Sequence, residues 1–185
     1  GDQYLEVHRA AHALSMKTNC TMLYGHVETF EHRVDHLLRL RALQDTPSAF
    51  SSTYADESQL TDTEWLNRVA QWSGKRSRTY LAMDTAGPCG IASGFFDQDD
   101  LARAHLVSMW VAPTYRRLGI GAQLVNAIVD WVRATGARTL RLIVTSNNDG
   151  AIEFYQSLGF TITAKIGPYR NDPALNDLEM VRSIS

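Results

Sequence analysis

Leu106-Val107-Ser108-Met109-Trp110-Val111-Ala112-Pro113-Thr114-Tyr115-Arg116-Arg117-Leu118-Gly119-Ile120-Gly121-Ala122 reads as a buried strand, a sharp turn and the opening of a helix. Val, Leu, Met and Trp dominate its first half, and Pro113 ends the extended run. A helical run from Gln123 to Arg133 follows. A strand that feeds a Gly-rich turn into a helix N-terminus builds an anion site. The first-turn N–H groups have no partner inside the helix, and the helix dipole adds partial positive charge there. Gly119 and Gly121 let the backbone close on a phosphate without a Cβ in the way. Arg116 and Arg117 add fixed charge and forked donors. The stretch is a pyrophosphate cradle.

Three phosphate-binding loops compete for it. A Walker-type loop needs Gly-Lys-Ser/Thr, and this turn holds neither the lysine nor the hydroxyl. The dinucleotide pattern G-x-G-x-x-G fits Gly119 and Gly121, but Leu124 stands where the third glycine belongs. The next strand also ends in Thr145-Ser146-Asn147, with no acid for a ribose. The third pattern, Arg/Gln-x-x-Gly-x-Gly/Ala, is met in full by Arg116-x-x-Gly119-x-Gly121. An ordinary Gly-rich strand–helix turn is the plain alternative, which this pattern alone leaves open.

A second stretch narrows the choice. Asn147-Asn148-Asp149-Gly150-Ala151-Ile152-Glu153-Phe154-Tyr155-Gln156-Ser157-Leu158-Gly159-Phe160 follows the cradle after one helix and one strand. With these two motifs in this order, the sequence resembles the GNAT superfamily of N-acetyltransferases. In the closing motif Asn-x-x-Ala-x-x-Phe/Leu-Tyr-x-x-Leu-Gly-Phe, the matching positions are Asn148, Ala151, Tyr155, Leu158, Gly159 and Phe160. Leu38 to Phe50 also resembles the entry helix of many bacterial members. The resemblance covers about residues 21–185 and is strongest over 104–160. It implies an α/β fold whose mixed, mainly antiparallel sheet splays between the strands ending near 111 and 144.

The same resemblance implies acetyl-coenzyme A as co-substrate. Arg116, Arg117, Leu118, Gly119, Ile120, Gly121 and Ala122 would hold the pyrophosphate. Met109, Trp110 and Val111 would hold the pantetheine amides, and Asn148, Phe154 and Tyr155 the arm near sulfur. Transfer to an amine needs a neutral nucleophile, a polarised thioester carbonyl and a protonated leaving thiolate. A primary amine titrates near ~10.4, so a base must take its proton. A backbone N–H of Met109 to Val111 can face the oxygen that gains charge. Tyr155, where the family places a tyrosine, is the expected acid for the thiolate; packing against the arm is its simpler role. For the base, many relatives carry a glutamate on the central strand, whereas this strand reads Ala104-His105-Leu106-Val107-Ser108. The candidates are His105, whose ordinary pKa near ~6.5 suits base work, Glu57 in the loop after the first helix, and Glu28.

Composition bounds the rest. With 185 residues, 44% hydrophobic, the chain supports one well-cored domain. We read residues 1–20 as an N-terminal arm and 21–185 as a single acetyltransferase domain. A net charge of −2 gives no general pull toward nucleic acid or an anionic membrane. No apolar run approaches the ~20 residues of a spanning helix, and the opening residues do not read as a secretory leader. Cys20 and Cys89 lack ligand spacing and fit a reducing cytoplasm.

Along the chain, the pattern predicts a strand at Met22–His26 and a helix with Phe30, Val34, Leu37, Leu38 and Leu43 inward, closed by Pro47. It predicts a polar connection from Ser51 to Ser58 and a helix opened by the Thr61-x-x-Glu64 capping box, with Trp65 and Trp72 as core. Strands follow at Thr79–Asp84, Cys89–Phe96, Ala104–Val111, Thr139–Val144, Thr161–Ile166 and Asp177–Ile184, with a helix from Asp149 to Leu158. His26, Glu28, His32 and His36 include an i, i+4 pair at metal-ligand spacing. The order Glu31-His32-Arg33-Val34-Asp35-His36 is not His-Glu-x-x-His, so a solvated face is the expectation and no metal is invoked. Asp97, Asp99 and Asp100 read as turn chemistry, or as an attractor for a cationic amine. Acetyl transfer to a small primary amine in a direct ternary complex is the function expected. A protein or peptide acceptor, a non-catalytic coenzyme A sensor and a dinucleotide module are the alternatives. Edge strands and the arm suit a homodimer.

Overall fold

The computed structural model describes residues 30–47, 52–61, 64, 67, 76–85, 87–170 and 172–184. The expected arm, the strand at 22–26, Glu28, Trp65 and Trp72 lie outside these residues. His32 and His36 lie on α1, outside the described side chains. In chain order the elements are α1 (Phe30–Asp45), α2 (Tyr54–Ser58), β1 (Ser77–Asp84), β2 (Gly87–Phe96), β3 (Arg103–Val111), a 3-10 turn (Pro113–Tyr115), α3 (Ile120–Ala134), β4 (Thr139–Thr145), α4 (Asp149–Ser157), β5 (Thr161–Pro168) and β6 (Asn176–Ser183). No described helix is long and apolar enough to cross a membrane.

The six strands form one sheet in the order β1-β2-β3-β4-β6-β5. All neighbours run antiparallel except β3 and β4. That parallel ladder is short, from Arg103↔Thr139 to His105↔Arg141. Beyond it β3 continues to Val111 and β4 to Thr145, and no described pair joins them. The mixed, mainly antiparallel sheet therefore opens where the sequence places the splay.

Helices cover the sheet on two faces. On one, α3 buries Leu124, Val125, Ile128, Val129, Trp131 and Val132, which recur every three to four residues as one stripe of an amphipathic helix. These meet Ala92, Phe96, Ala104, Leu106, Leu140 and Leu142 from the strands and Tyr155 and Phe160 from the α4 region. Gly94 sets how close α3 comes: a Cβ there would stand 3.0 Å from the Trp131 ring and 3.2 Å from Ile128. On the other face, Val34, Leu37, Leu38, Ala42 and Leu43 of α1 pack with Ile91, Trp110 and Ala112.

Two local readings change. The expected polar connection from Ser51 to Ser58 holds the short helix α2, because Thr53 accepts from the Asp56 N–H (3.1 Å) and caps it. The acidic turn after β2 is built into the fold: Asp100 accepts from the Ala102 N–H (2.9 Å), and Arg103 pairs with Asp100 at 2.6 Å. The capping box forms as expected, with the Thr61 N–H donating to Glu64 at 2.8 Å.

Glu179 of β6 makes a testable contribution to stability. It is buried and accepts from Arg141 Nη1 (3.2 Å), Thr163 Oγ1 (3.1 Å) and Lys165 Nζ (3.4 Å). Burial alone pushes its carboxyl pKa up, but these three partners outweigh it and hold the pKa below the ordinary value. A group with a lowered folded pKa stabilises fully above its unfolded value, near ~4.3, and loses that contribution as pH falls through the folded one. Glu179→Gln should therefore cost about 2 kcal/mol at neutral pH and flatten the acid limb of the stability curve. Chemical denaturation at a series of pH values would read this, and an unchanged limb would remove the assignment.

Candidate active site

The site begins at an extra residue in β3. Ile91 pairs with Trp110 and Ser93 with Val107, so Ala92 of β2 faces both Ser108 and Met109. Ser108 takes φ +54, the left-handed backbone that a β-bulge of this kind requires. The bulge reverses the alternation of the strand. Ala104 and Leu106 face α3, whereas Trp110 faces α1. β3 has already parted from β4 after His105, so Met109, Trp110 and Val111 lie beyond the end of the ladder, along the opening. Trp110 is 4% exposed and its Nε1–H donates to Asp45 (3.1 Å), so it offers the gap main chain rather than ring.

The cradle follows directly. Pro113–Tyr115 makes a 3-10 turn, Arg117 takes φ +65, and Gly119 caps α3 at φ +82 without any side-chain hydrogen bond. Among the described residues a Cβ on Gly119 would meet nothing within 4 Å, so these residues leave the space before the α3 N-terminus open. Gly121 is the opposite case. A Cβ there would lie 3.2 Å from both Met109 Cε and Phe154 Cζ, so this glycine lets the helix start close to the bulged strand and to α4. Ile120 and Ala122 are half-buried beside it, and Leu118 is 65% exposed at the rim. Uncapped helix N–H groups, open space and two arginines fit the pyrophosphate of coenzyme A.

Arg116 reaches back over the end of β3. Its Nε–H donates to the Val111 carbonyl (2.9 Å), and Nη2 pairs with Asp45 at the end of α1. Burial pushes the Asp45 carboxyl up, but hydrogen bonds from Trp110, Thr46 and Arg116 hold it below the usual range. Asp45 thus joins α1, the strand and the cradle. A cleft of about 590 Å³, lined by Tyr80, Met83, Cys89, Tyr115, Leu118 and Ile120 among others, lies along β1 and α3 and shares Leu118 and Ile120 with the cradle. Its β1 wall stands two strands away from the β3–β4 gap.

Tyr155 is buried on α4, with its ring edge-on to Phe160 (5.7 Å) and tilted on Phe154 (5.2 Å). Burial pushes its phenol well above the ordinary value near 10, so it stays protonated. Asn148 caps α4 by accepting from the Ala151 N–H (3.2 Å) and so fixes the helix that carries Phe154 and Tyr155. His105 stands three residues before the bulge, stacked on Phe95 (4.7 Å), with Nε2 on Asp97 Oδ1 (2.8 Å). Glu57 is 2% exposed and accepts from Arg39 Nη2 (2.7 Å), Arg39 Nε (3.3 Å) and Ser52 Oγ (2.5 Å). Arg39 Nη1 in turn donates to the Ser108 hydroxyl. Sequence reasoning missed Arg39, Asp45 and Ser108. The available signal was Arg39 itself, a charge between Leu38 and Leu40 on a helix where both neighbours are buried.

The model of the acetyltransferase (GNAT) family matches residues 39–160. An uncharacterized N-acetyltransferase of Methanocaldococcus jannaschii is 40% identical over 105 residues, 52% of this chain and 46% of that protein. Aminodeoxyfutalosine synthase of Thermus thermophilus is 59% identical over 128 residues, 69% of this chain but 30% of that protein. The chain thus spans less than half the length of these two curated relatives. Among solved structures, nourseothricin acetyltransferase superposes with a TM-score of 0.56 at 27% identity, over 60% of this chain and 67% of that one. The chain belongs to the GNAT family of acetyltransferases.

Proposed function

We propose that the protein transfers acetyl from acetyl-coenzyme A to a primary amine of a small or amino-acid-like acceptor, in a direct ternary complex. The carrying observation is the β3–β4 gap, which lies between the cradle and the α1-side face of the sheet. A thioester laid along Met109–Val111 can be met from that face without a covalent enzyme intermediate. Glu57 packs α2 down onto α1 and bounds the approach to the bulge. An approach of that kind suits the amine of a small acceptor better than a folded surface.

His105 is the base this geometry favours over Glu57. Asp97 orients its imidazole, in the manner of a base and its orienting carboxylate. Three residues of strand, about 10 Å, separate it from the bulge, so the amine's proton reaches it through water. Glu57 is instead occupied by Arg39 and Ser52. Met109, Trp110, Val111 and Arg116 to Ala122 hold the co-substrate, with Asn148, Phe154 and Tyr155 at the sulfur end; the reaction as drawn uses no metal. The buried free thiol of Cys89 suits a reducing cytoplasm, and the sheet edges β1 and β5 offer pairing to a second copy.

Incubating the protein with acetyl-coenzyme A and pooled polyamines, amino acids, aminoglycosides and N-terminal peptides, then reading products by mass spectrometry, separates the acceptor classes. Acetylation confined to small amines is the expected result. Acetylation of peptides alone would transfer the reading to a protein acceptor. Tight acetyl-coenzyme A binding with no product would favour the sensor.

A further inference from the structure

We propose that Ser108 is a catalytic residue, its hydroxyl polarised by Arg39 and donating to the thioester oxygen as that oxygen gains charge. The proposal rests on the acetyl-transfer reading above. Its basis is a chain of contacts that runs from a buried acid to the bulge. Glu57, 2% exposed, accepts two bonds from the Arg39 fork at 2.7 and 3.3 Å, and Ser52 Oγ adds a third at 2.5 Å. Arg39 Nη1 then donates to Ser108 Oγ. An arginine has no acceptor atom and keeps its proton, so Ser108 can only accept from it. That leaves the serine's single proton to donate elsewhere, with a cation behind its oxygen to strengthen the bond.

The position supplies the target. Ser108 is the bulged residue, directly before the segment Met109–Val111 that borders the β3–β4 gap. It holds φ +54, a backbone state that costs an L-residue about 1–2 kcal/mol and that glycine takes freely. A side chain kept at that cost is a hydroxyl bonded to a half-buried cation. Arg39 and Glu57 are then positioning residues: Glu57 balances and aims the guanidinium, and the guanidinium aims the hydroxyl.

In the reaction, the amine nitrogen bonds to the thioester carbon and the C=O π pair moves onto oxygen. Ser108 holds that oxygen through its O–H without giving up the proton, alongside a backbone N–H of the strand. The pair returns as the C–S bond breaks. The thiolate takes its proton from Tyr155, and the nitrogen's excess proton leaves through the base.

The test uses the full chain, with Ser108→Gly and Arg39→Lys as variants and acetyl-coenzyme A labelled with carbon-13 at the carbonyl as probe. Glycine suits the left-handed backbone and removes the hydroxymethyl side chain, hydroxyl included. Ser108→Gly should keep or raise Tm, hold acetyl-coenzyme A affinity within about twofold, and lower kcat by at least about tenfold, the backbone donor remaining. The bound carbonyl resonance should move from its wild-type position toward that of free acetyl-coenzyme A. Arg39→Lys should give an intermediate resonance, a change that loss of packing alone would not produce. Wild-type kcat and an unmoved resonance in Ser108→Gly would overturn the proposal while leaving acetyl transfer intact. Should that variant fail to fold, Ser108→Ala is read by the same resonance. A wild-type protein that does not bind acetyl-coenzyme A would overturn the functional reading, and this assignment with it.

Discussion

Tyr155→Phe is expected to lower kcat by about a hundredfold or more, within the range of a positioned general acid, and to leave acetyl-coenzyme A affinity and Tm nearly unchanged. The ring stays, so the contacts with Phe160 and Phe154 stay too. Only the hydroxyl is lost. Burial raises the Tyr155 pKa, so the wild-type phenol is protonated throughout the working pH range, which fits the proposed donor role and not that of a base. A thiolate leaving into the same buried site would be desolvated as well, which would raise its own proton affinity above the ordinary thiol value near ~8.5. Donor and acceptor therefore move in the same direction, and the bond between them forms as charge reaches sulfur. Steady-state kinetics with saturating amine would read the effect. A kcat equal to wild type would reduce Tyr155 to a core residue.

Arg116→Ala is expected to weaken acetyl-coenzyme A binding by about ten- to a hundredfold. A hydrogen bond to a charged group contributes about 1.5–3 kcal/mol, and 1.4 kcal/mol is a factor of ten. Arg116 is tied to Asp45 and the Val111 carbonyl, so a purely architectural role must be separated from a phosphate-binding one. Asp45→Asn makes the separation. It removes the negative charge beside the cradle and leaves Arg116 in place, so a phosphate role predicts equal or tighter binding. An architectural role predicts that both variants weaken it. Calorimetric titration of each variant distinguishes the two, and unchanged affinity in Arg116→Ala would mean that the cradle is misplaced.

The parts of this account that were legible in sequence are those written in neighbouring residues. Gly119 and Gly121 after an apolar strand mark the strand–turn–helix, and the structure adds its own reasons for glycine: φ +82 at Gly119 and the close approach of Met109 and Phe154 at Gly121. The strand boundaries fell within two residues of their observed ends from β1 to β6, because turn residues flank each run. The bulge was hidden: Val107, Ser108, Met109 and Trp110 read as continuous strand, and one inserted residue leaves no compositional mark. Its consequence, the turn of Trp110 toward α1, was therefore hidden too. Arg39, Glu57 and Ser108 meet across separations of 18 and 69 residues, which no local pattern reports. The Asp45 bridge to Arg116 spans 71 residues and escaped for the same reason. Glu57 was selected from its loop as a base, and only the fold shows what holds its carboxylate.

Thiol release from acetyl-coenzyme A near pH 8, followed with and without a panel of primary amines, tests the central claim most directly. The account predicts release that depends on one class of amine, saturates with it, and falls in Tyr155→Phe. Release that is the same with every amine and with none would contradict it.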